Sequence, residues 1–178
     1  MDRNLGATQV ATSSTDANSY GYLYQWGRGT DGHQIRTSGT TPTLSGTDSP
    51  GHGNFILAPG SPYDWRSPQN TNLWQGVSGV NNPCPSGYRI PTDTELDAER
   101  ASWSNQNAAG AFASPLKLPV AGYRLDSSGS LSSVNSFGYY WSSTVSSTGS
   151  RYLGFDSSSA SMYTYRRADG GSVRCLKD

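Results

Sequence analysis

The sequence predicts an α+β fold in which short antiparallel sheets are combined with one or two helices and long ordered loops. Three observations lead to this class. One segment in the middle of the chain has the start signals of a helix. The residues from Leu118 onward follow the pattern of short strands. Earlier in the chain, residues 27–83 are rich in Gly, Pro, Ser, Thr, Asn and Asp, which is typical of loops.

The helix is predicted to start directly after Thr92. The tetrapeptide TDTE, from Thr92 to Glu95, fits a capping box, in which each residue's side chain accepts a hydrogen bond from the backbone of the other. The pattern continues to Trp103, and residues 105–110 are expected to end the helix. A second, weaker helix is expected near 16–20.

The irregular stretch at 27–83 is interpreted as ordered loops rather than disorder. Long loops in compact domains are usually either functional or disordered. Large apolar side chains recur along this stretch and can anchor it to a core: Phe55, Ile56, Leu57, Trp65, Leu73 and Trp74.

Strands are predicted throughout the last third of the chain. A hairpin is expected around 126–129, whose Asp and Gly favour a turn, with strands at 120–125 and 130–134. Further strands are expected at 140–143, 152–156, 161–165 and 172–176. Because apolar residues interleave with the many serines of this region, we interpret it as a serine-surfaced sheet rather than a low-complexity linker.

The composition excludes some classes of partner. Formal net charge is zero, with 13 basic and 13 acidic residues, and no basic face suited to nucleic acid is visible. No apolar run approaches the ~18 residues of a membrane helix, and no leader opens the chain. We therefore expect no nucleic-acid partner and no direct membrane insertion. The abundant Ser, Thr, Asn, Gly and Tyr also build antibody binding loops, although solubility alone explains such a composition equally well.

Cys84 and Cys175 are the only cysteines. One pair in a polar, lysine-poor chain suits an oxidising compartment. A bond between residues 91 apart would restrict the unfolded chain by about 4–5 kcal/mol in the loop-entropy model. The alternative is two free thiols or a redox pair, for which the sequence lacks CxxC spacing.

Five segments of the chain resemble motifs of a known family and follow one another in the same order. They read MDRNLGA, YGYLYQWGR, NPCPSGYRIPT, YYWSST and GGSVRCLKD, and they lie at 1–7, 20–28, 82–92, 139–144 and 170–178. Together they resemble the Fibrobacter succinogenes major paralogous domain, a branch of the C-type-lectin-like folds that lies close to the formylglycine-generating-enzyme fold.

The resemblance implies a C-type-lectin-like fold for a single domain at 1–178. It also implies that Cys84 and Cys175 form a structural disulfide between a mid-chain segment and the last strand. Family members usually have residues before the MDRN motif. We therefore expect this chain to be the C-terminal module of a longer protein, with its targeting signal upstream.

Enzymatic roles are disfavoured by the residues at hand. Formylglycine-generating enzymes use a reactive cysteine pair, whereas the resemblance assigns both cysteines here to a structural disulfide. His33 and His52 lie in loops without metal-ligand spacing and are expected to be solvent-exposed. Four carboxylates cluster because they share the first turns of one helix: Asp93, Glu95, Asp97 and Glu99. We expect no catalytic residue and no cofactor.

Calcium-dependent sugar binding is a further activity that the C-type-lectin resemblance raises. Its signature triplets EPN, QPD and WND are absent from the chain. Calcium prefers six to eight oxygen ligands with several carboxylates nearby, whereas Asp31, Asp48 and Asp64 are isolated in sequence. We expect no metal site, and a structural calcium ion held by loops that converge in space is kept as an alternative.

Side-chain alternation near the C-terminus predicts a binding surface. The candidate ligand-binding residues are Gly154, Asp156, Ser161, Tyr163, Tyr165 and Arg166. Leu153, Phe155 and Met162 are expected on the opposite face. Arg167 adds a second guanidinium to this cluster, and Tyr and Arg are enriched at binding hot spots. The alternative is that the tyrosines cap the sheet and the arginines pair with Asp156 or Asp169.

The resemblance bears on the same positions. In similar sequences, the positions that match Gly149 and the six candidate residues look free to differ. The positions that match residues 140–144 and 172–175 look fixed instead. Relatives with this organisation include targets of diversity-generating retroelements, in phage tail proteins and bacterial surface lipoproteins. Such elements alter residues near the C-terminus of a lectin-like domain and so retarget its binding.

These observations predict a non-enzymatic ligand-recognition domain, for adhesion or receptor binding, displayed on a cell surface or a phage tail fibre. Its partner would be a cell-surface protein or a glycan. The expected location is extracellular, on a cell surface or a virion tail, and homo-oligomerisation through the parent protein is left open. The alternative function is a structural or decoration module of an envelope or fibre protein without a specific ligand.

Overall fold

Short strands dominate the computed structural model, which describes residues 1–178. Two α-helices are present, α1 (Asp93–Ala101) and α2 (Ala108–Ala113), and a 3-10 turn lies at Ala17–Ser19. The strands are β1 (Tyr24–Gln25), β2 (Thr40–Thr41), β3 (Phe55–Ile56), β4 (Tyr88–Arg89), β5 (Tyr123–Arg124), β6 (Leu131–Ser132), β7 (Gly138–Ser146), β8 (Gly149–Phe155), β9 (Ala160–Tyr165), β10 (Gly170–Gly171) and β11 (Leu176–Lys177).

The strands form four separate sheets. The longest strands, β7, β8 and β9, are antiparallel neighbours in that order. Strand β10 joins β1 to the β5–β6 hairpin in a four-stranded sheet, β4 pairs with β11, and the β2–β3 pair is parallel. The predicted α+β class with short antiparallel sheets is therefore confirmed, except that the β2–β3 pair is parallel. The hairpin predicted around 126–129 is present, with Tyr123 opposite Ser132.

Helix α1 begins where the capping box predicts. The hydroxyl of Thr92 accepts a hydrogen bond from the Glu95 N–H at 3.3 Å, and the Glu95 carboxylate accepts one from the Thr92 N–H at 2.8 Å. These bonds satisfy backbone donors that the first turn of a helix leaves free. Leu96 in α1 and Trp103 just beyond it are buried in a shared hydrophobic cluster.

Two helical predictions were wrong in detail. Residues 105–110 were expected only to end a helix, but Asn107 caps helix α2 by accepting hydrogen bonds from the N–H groups of Ala109 and Gly110. Near 16–20, a 3-10 turn takes the place of the weak helix that was predicted. Neither α-helix is long and apolar enough to span a membrane.

The β7–β9 sheet lies between two hydrophobic clusters because its side chains alternate between its faces. On one face, Trp141 and Tyr152 belong to a cluster of 13 buried residues. On the other face, Leu153 and Phe155 join a second cluster of nine, which includes Trp103. The sheet is thus packed on both sides over most of its width, and β9 is its outer strand.

The stretch at 27–83 is held against the core by its apolar residues. Five of the six predicted anchors are buried: Phe55, Ile56, Trp65, Leu73 and Trp74. The indole N–H of Trp65 donates to the Trp26 carbonyl at 2.7 Å, and that of Trp74 donates to the Asn81 carbonyl at 3.0 Å. These contacts agree with the interpretation of this stretch as ordered loops.

The sequence predicts that the serines of the last third of the chain lie on the surface of the sheet, but serines are also buried there. Four serines of this region are buried: Ser142, Ser143, Ser150 and Ser172. The hydroxyl of Ser142 donates to the Arg151 carbonyl at 2.9 Å, which satisfies a polar group inside the protein. The description as serine-surfaced is therefore wrong at these positions.

Cys84 and Cys175 form a disulfide, with their Cα atoms 5.8 Å apart. The bond joins the segment before α1 to the segment before β11. The start of the chain meets the same region, where the Leu5 N–H donates to the Val173 carbonyl at 3.0 Å. Three distant parts of the sequence are therefore tied together beside the last strand.

Candidate functional site

Five of the six candidate ligand-binding residues lie together along β8 and β9. Gly154 pairs with Ser161 and Tyr152 pairs with Tyr163, so these four residues share a face, and Tyr165 follows on the same face. Tyr163 and Tyr165 are 40% and 44% exposed. We define the tyrosine surface as Gly154, Ser161, Tyr163, Tyr165 and Arg166.

The opposite face of the same strands is packed, as the alternation predicts. Leu153 and Phe155 are buried, and Met162 is half-buried against their cluster. From Ser161 to Arg166 the tyrosine surface extends for about 17 Å, at the usual rise per strand residue. It is therefore an elongated stripe along an outer strand.

Gly154 allows the aromatic rings of this face to come together. A Cβ atom at this position would lie 2.9 Å from the rings of Tyr152 and Tyr163 and 3.0 Å from that of Phe137. Real Cβ atoms essentially never approach other atoms so closely, so any side chain here would displace a ring. The glycine is required for the shape of the surface, although the resemblance suggested a position that is free to differ.

Arg166 is oriented at the edge of the tyrosine surface by three groups. Its guanidinium carbon lies 4.0 Å from the ring centre of Tyr63 and 5.5 Å from that of Tyr165. Its Nη1 donates to the carboxylate of Asp126 at 3.1 Å. Stacking and charge pairing hold the cation in one geometry. Tyr63 was missed from the sequence, since it lies in a distant loop.

The arginines do not pair as the alternative interpretation expected, because neither Asp156 nor Asp169 forms a salt bridge with one. Arg167 is fully buried, with its guanidinium carbon 4.6 Å from the ring centre of Trp26 and its Nη1 3.5 Å from the Asp64 carboxylate. Arg167 therefore supports the core and does not belong to the surface cluster that the sequence suggested.

Asp156, the sixth candidate, is engaged in the turn between β8 and β9. Its Oδ1 accepts hydrogen bonds from the N–H groups of Ser158 and Ser159 at 2.7 and 2.9 Å, and from the Ser158 hydroxyl at 2.7 Å. The Ser158 hydroxyl, followed by the backbone N–H groups, lowers the pKa of Asp156. Its carboxylate orders the turn, and we place Asp156 outside the tyrosine surface.

A pocket of about 260 Å³ opens beside the tyrosine surface and shares Tyr165 with it. We term it the aromatic pocket, and its lining residues are Tyr123, Ser133, Phe137, Tyr139, Tyr152 and Tyr165. The Tyr139 and Tyr152 rings stack at 3.9 Å, whereas the Tyr165 ring is inclined at 67° to that of Tyr152. The rings therefore stand as walls at different angles. The sequence did not reveal the pocket, because its walls come from separate strands and turns.

Two buried polar atoms have no hydrogen-bond partner, the hydroxyl of Tyr139, a residue that lines the aromatic pocket, and Oδ2 of Asp169. The other carboxylate oxygen of Asp169 accepts from the Asp126 N–H at 2.8 Å. Burial raises the pKa of Asp169 to about 7. Burial is the main cause that raises the pKa values of Tyr139, Tyr152 and Tyr165. The negative charge of Asp169 is one of the further causes that raise them. Asp169 is thus electrostatically coupled to the pocket walls.

His33 is buried, so the prediction that it is solvent-exposed was wrong. Its Nε2 accepts a hydrogen bond from the Gln25 N–H at 3.1 Å, and its Nδ1 lies 2.6 Å from the Asp31 carboxylate. This arrangement places the ring proton on Nδ1 of a neutral imidazole. Burial lowers the pKa of His33 to about 4, and the ring serves as a structural link.

Two of the three loop carboxylates considered for calcium do converge in space. Asp31 and Asp48 line one polar depression of about 510 Å³. Each is paired with an arginine, at 2.7 Å in both cases, and Asp64 lies 3.5 Å from Arg167. No group of three or more His, Cys, Asp or Glu side chains has the arrangement that could hold a metal ion.

One protein-family model matches part of the chain. It is described as a domain of unknown function (DUF8237) and matches residues 94–176, just under half of the 178 residues. The tyrosine surface and the aromatic pocket both lie within the matched part. No curated protein and no solved structure matches the chain.

Proposed function

We propose that this chain is a non-enzymatic ligand-recognition domain with a C-type-lectin-like fold, related to the Fibrobacter succinogenes major paralogous domain. Its partner is a cell-surface protein or a glycan, bound through the tyrosine surface. The α+β architecture supports the proposed fold, together with a disulfide from a mid-chain segment to the end of the chain and long loops anchored by buried tryptophans.

The exposure of Tyr163 and Tyr165 on an otherwise packed sheet is the observation that carries the proposal. Removing such rings from water on binding is favourable, and a tyrosine loses little conformational entropy because it has few rotatable bonds. Arg166 is already stacked against Tyr63 and Tyr165 before any partner arrives. Such preorganisation reduces the entropic cost of binding.

The disulfide is compatible with an oxidising, extracellular location. We place the domain on a cell surface or a virion tail, as part of an adhesion or tail-fibre protein. The tyrosine surface lies where a diversity-generating retroelement would alter a lectin-like domain. Three of its side chains, Ser161, Tyr163 and Tyr165, are at least partly exposed, which supports a surface whose specificity can change.

The proposal is tested with two variants, Tyr163→Ala and Tyr165→Ala. Once glycan arrays or binding to intact cells have identified a ligand, each variant is expected to lose about 2 kcal/mol or more of binding free energy, as hot-spot aromatics do. Their melting temperatures should stay close to that of the parent, because exposed rings support little core. Ile35→Ala is the control, since Ile35 is 44% exposed in a separate depression and should keep full affinity.

Two outcomes would contradict the proposal. If both tyrosine variants melt far below the parent, the rings are part of the core and the site lies elsewhere. If a ligand binds parent and variants equally, the tyrosine surface is not the contact. A chain that binds no cell and no glycan would instead favour the structural or decoration module.

A further inference from the structure

We propose that the aromatic pocket binds a quaternary ammonium group of the choline type. This inference rests on the proposed function, because the pocket adjoins the tyrosine surface and would receive a cationic substituent of the same ligand. Within a glycan partner, the group would be carried as a phosphocholine ester. Choline and phosphocholine share a trimethylated nitrogen. Its positive charge is spread over an apolar surface of methyl groups and does not titrate.

The walls of the pocket suit such a cation. Five of the six lining residues are aromatic, and no lysine or arginine is among them. The ring of Phe137 is inclined at 70° to that of Tyr123, and the ring of Tyr165 at 67° to that of Tyr152. Rings that meet at steep angles can present their negative π-faces to one bound group from different directions. Aromatic cages of this kind recognise methylated ammonium ions.

The charges around the pocket favour a cation as well. Asp169 is buried and its Oδ2 has no partner, whereas the neighbouring Asp126 is paired with Arg166. Since these three groups carry two negative charges and one positive charge when ionised, one negative charge is left without a partner. An unpaired buried carboxylate is unfavourable, and a cation in the pocket, whose tyrosines are within the influence of its charge, would stabilise it. The unpaired hydroxyl of Tyr139 adds a polar group at the same wall.

A neutral sugar ring is the main competing occupant, since sugars also stack on tyrosines. Sugar binding would not depend on the charge of Asp169. A ligand pair that differs only in charge therefore separates the two occupants. Choline and 3,3-dimethyl-1-butanol form such a pair, because a carbon atom replaces the nitrogen without changing the shape.

Isothermal titration of the 178-residue chain at pH 8 provides the test. We expect choline to bind at least about tenfold more tightly than 3,3-dimethyl-1-butanol, and Tyr165→Ala to weaken choline binding by a similar factor. Ile35→Ala is the control, since Ile35 is 44% exposed and lines a separate depression, so it should leave choline binding unchanged. A parallel titration with phosphocholine identifies the source of the group, and tighter binding than choline supports the ester.

The dependence of choline binding on the charge of Asp169 is measured separately. Asp169→Asn should weaken choline binding and leave the neutral analogue unaffected, with near-UV circular dichroism to verify the fold. In the parent, choline affinity should fall as the pH is lowered from 8 to 6, because Asp169, with a pKa of about 7, takes up a proton. The other groups that act on Asp169 are Asp126, Arg166 and the pocket tyrosines. Asp126 is held in an ion pair with Arg166, which stays charged, and Tyr139, Tyr152 and Tyr165 have raised pKa values.

Equal affinity for choline and its neutral analogue would overturn the inference, as would choline binding that survives Tyr165→Ala. Absence of choline and phosphocholine binding at millimolar concentrations would also overturn it. The failure of this inference can be distinguished from the failure of the proposed function. A cell-surface ligand that requires Tyr163 and Tyr165 but is not displaced by choline would reject the pocket as a cation site and leave the tyrosine surface standing.

Discussion

Among single residues, Asp169 has an environment that links protonation to folding. It is fully buried, and one of its carboxylate oxygens has no hydrogen-bond partner. Burial raises its pKa to about 7, whereas an aspartate in an unfolded chain has a pKa of about 3.9. The folded state therefore binds this proton more strongly than the unfolded state. The contribution of Asp169 to stability grows as the pH falls from about 7 towards about 4.

Asp169→Asn should remove this dependence, because the amide keeps the shape of the side chain and carries no charge. We expect the variant to be more stable than the parent at pH 8, by about 1–3 kcal/mol, with the difference decreasing towards pH 5. Urea unfolding at several pH values measures it. Glu95 and Asp31, whose pKa values are lowered to about 2, contribute equally to both proteins. A difference that does not change with pH would contradict the assignment.

The sequence was informative about single residues only where a local pattern applied. Strand alternation placed Tyr163 and Tyr165 on one face, because the period of two is a property of the strand itself. No local pattern could identify Tyr63 or Asp126, because both contact Arg166 from other parts of the chain. His33 was expected at the surface because its neighbours are polar, but its burial depends on contacts with Gln25 and Asp31.

At the scale of elements, Phe155 shows how the β7–β9 sheet is fixed to the helical side. Its ring stacks on Tyr140 with centres 5.6 Å apart and meets Trp103 edge-on, also at 5.6 Å. Phe155→Ala leaves a cavity between them, and we expect the free energy of unfolding to fall by about 3–5 kcal/mol. Denaturant unfolding measures this loss. Tyr163→Ala on the adjacent strand is the matched control and should cost about 1 kcal/mol or less. Equal losses would mean that the two faces do not differ in packing.

The longer elements could be predicted and the shorter ones could not. Helix α1 has a capping box in its sequence, and β7, β8 and β9 have alternating side chains. Eight strands have only two residues each. They exist through pairing with distant segments, as where Tyr24 of β1 lies opposite Gly171 of β10, and no local pattern marks them. Helix α2 was missed because its short sequence AAGAFA carries a Gly and its only strong signal is the Asn107 cap.

For the whole molecule, the disulfide is expected to be a main source of stability. It closes a loop of 91 residues, and in the loop-entropy model its removal by Cys84→Ala with Cys175→Ala lowers the free energy of unfolding by about 4–5 kcal/mol. Thermal melts of parent and double variant measure the change. Thiol titration of the denatured, unreduced protein provides an independent check. Two free thiols per chain would reject the bond and the oxidising compartment with it.

The division between a packed interior and an exposed outer strand also bears on protein engineering. Positions 161, 163 and 165 point away from the second cluster and contribute little to it, so a library randomised there should retain folded members with new specificities. Gly154 must be left out, since any Cβ would lie 2.9 Å from the rings of Tyr152 and Tyr163. The chain thus offers a small disulfide-locked scaffold for selecting binders, with three adjustable positions on one strand.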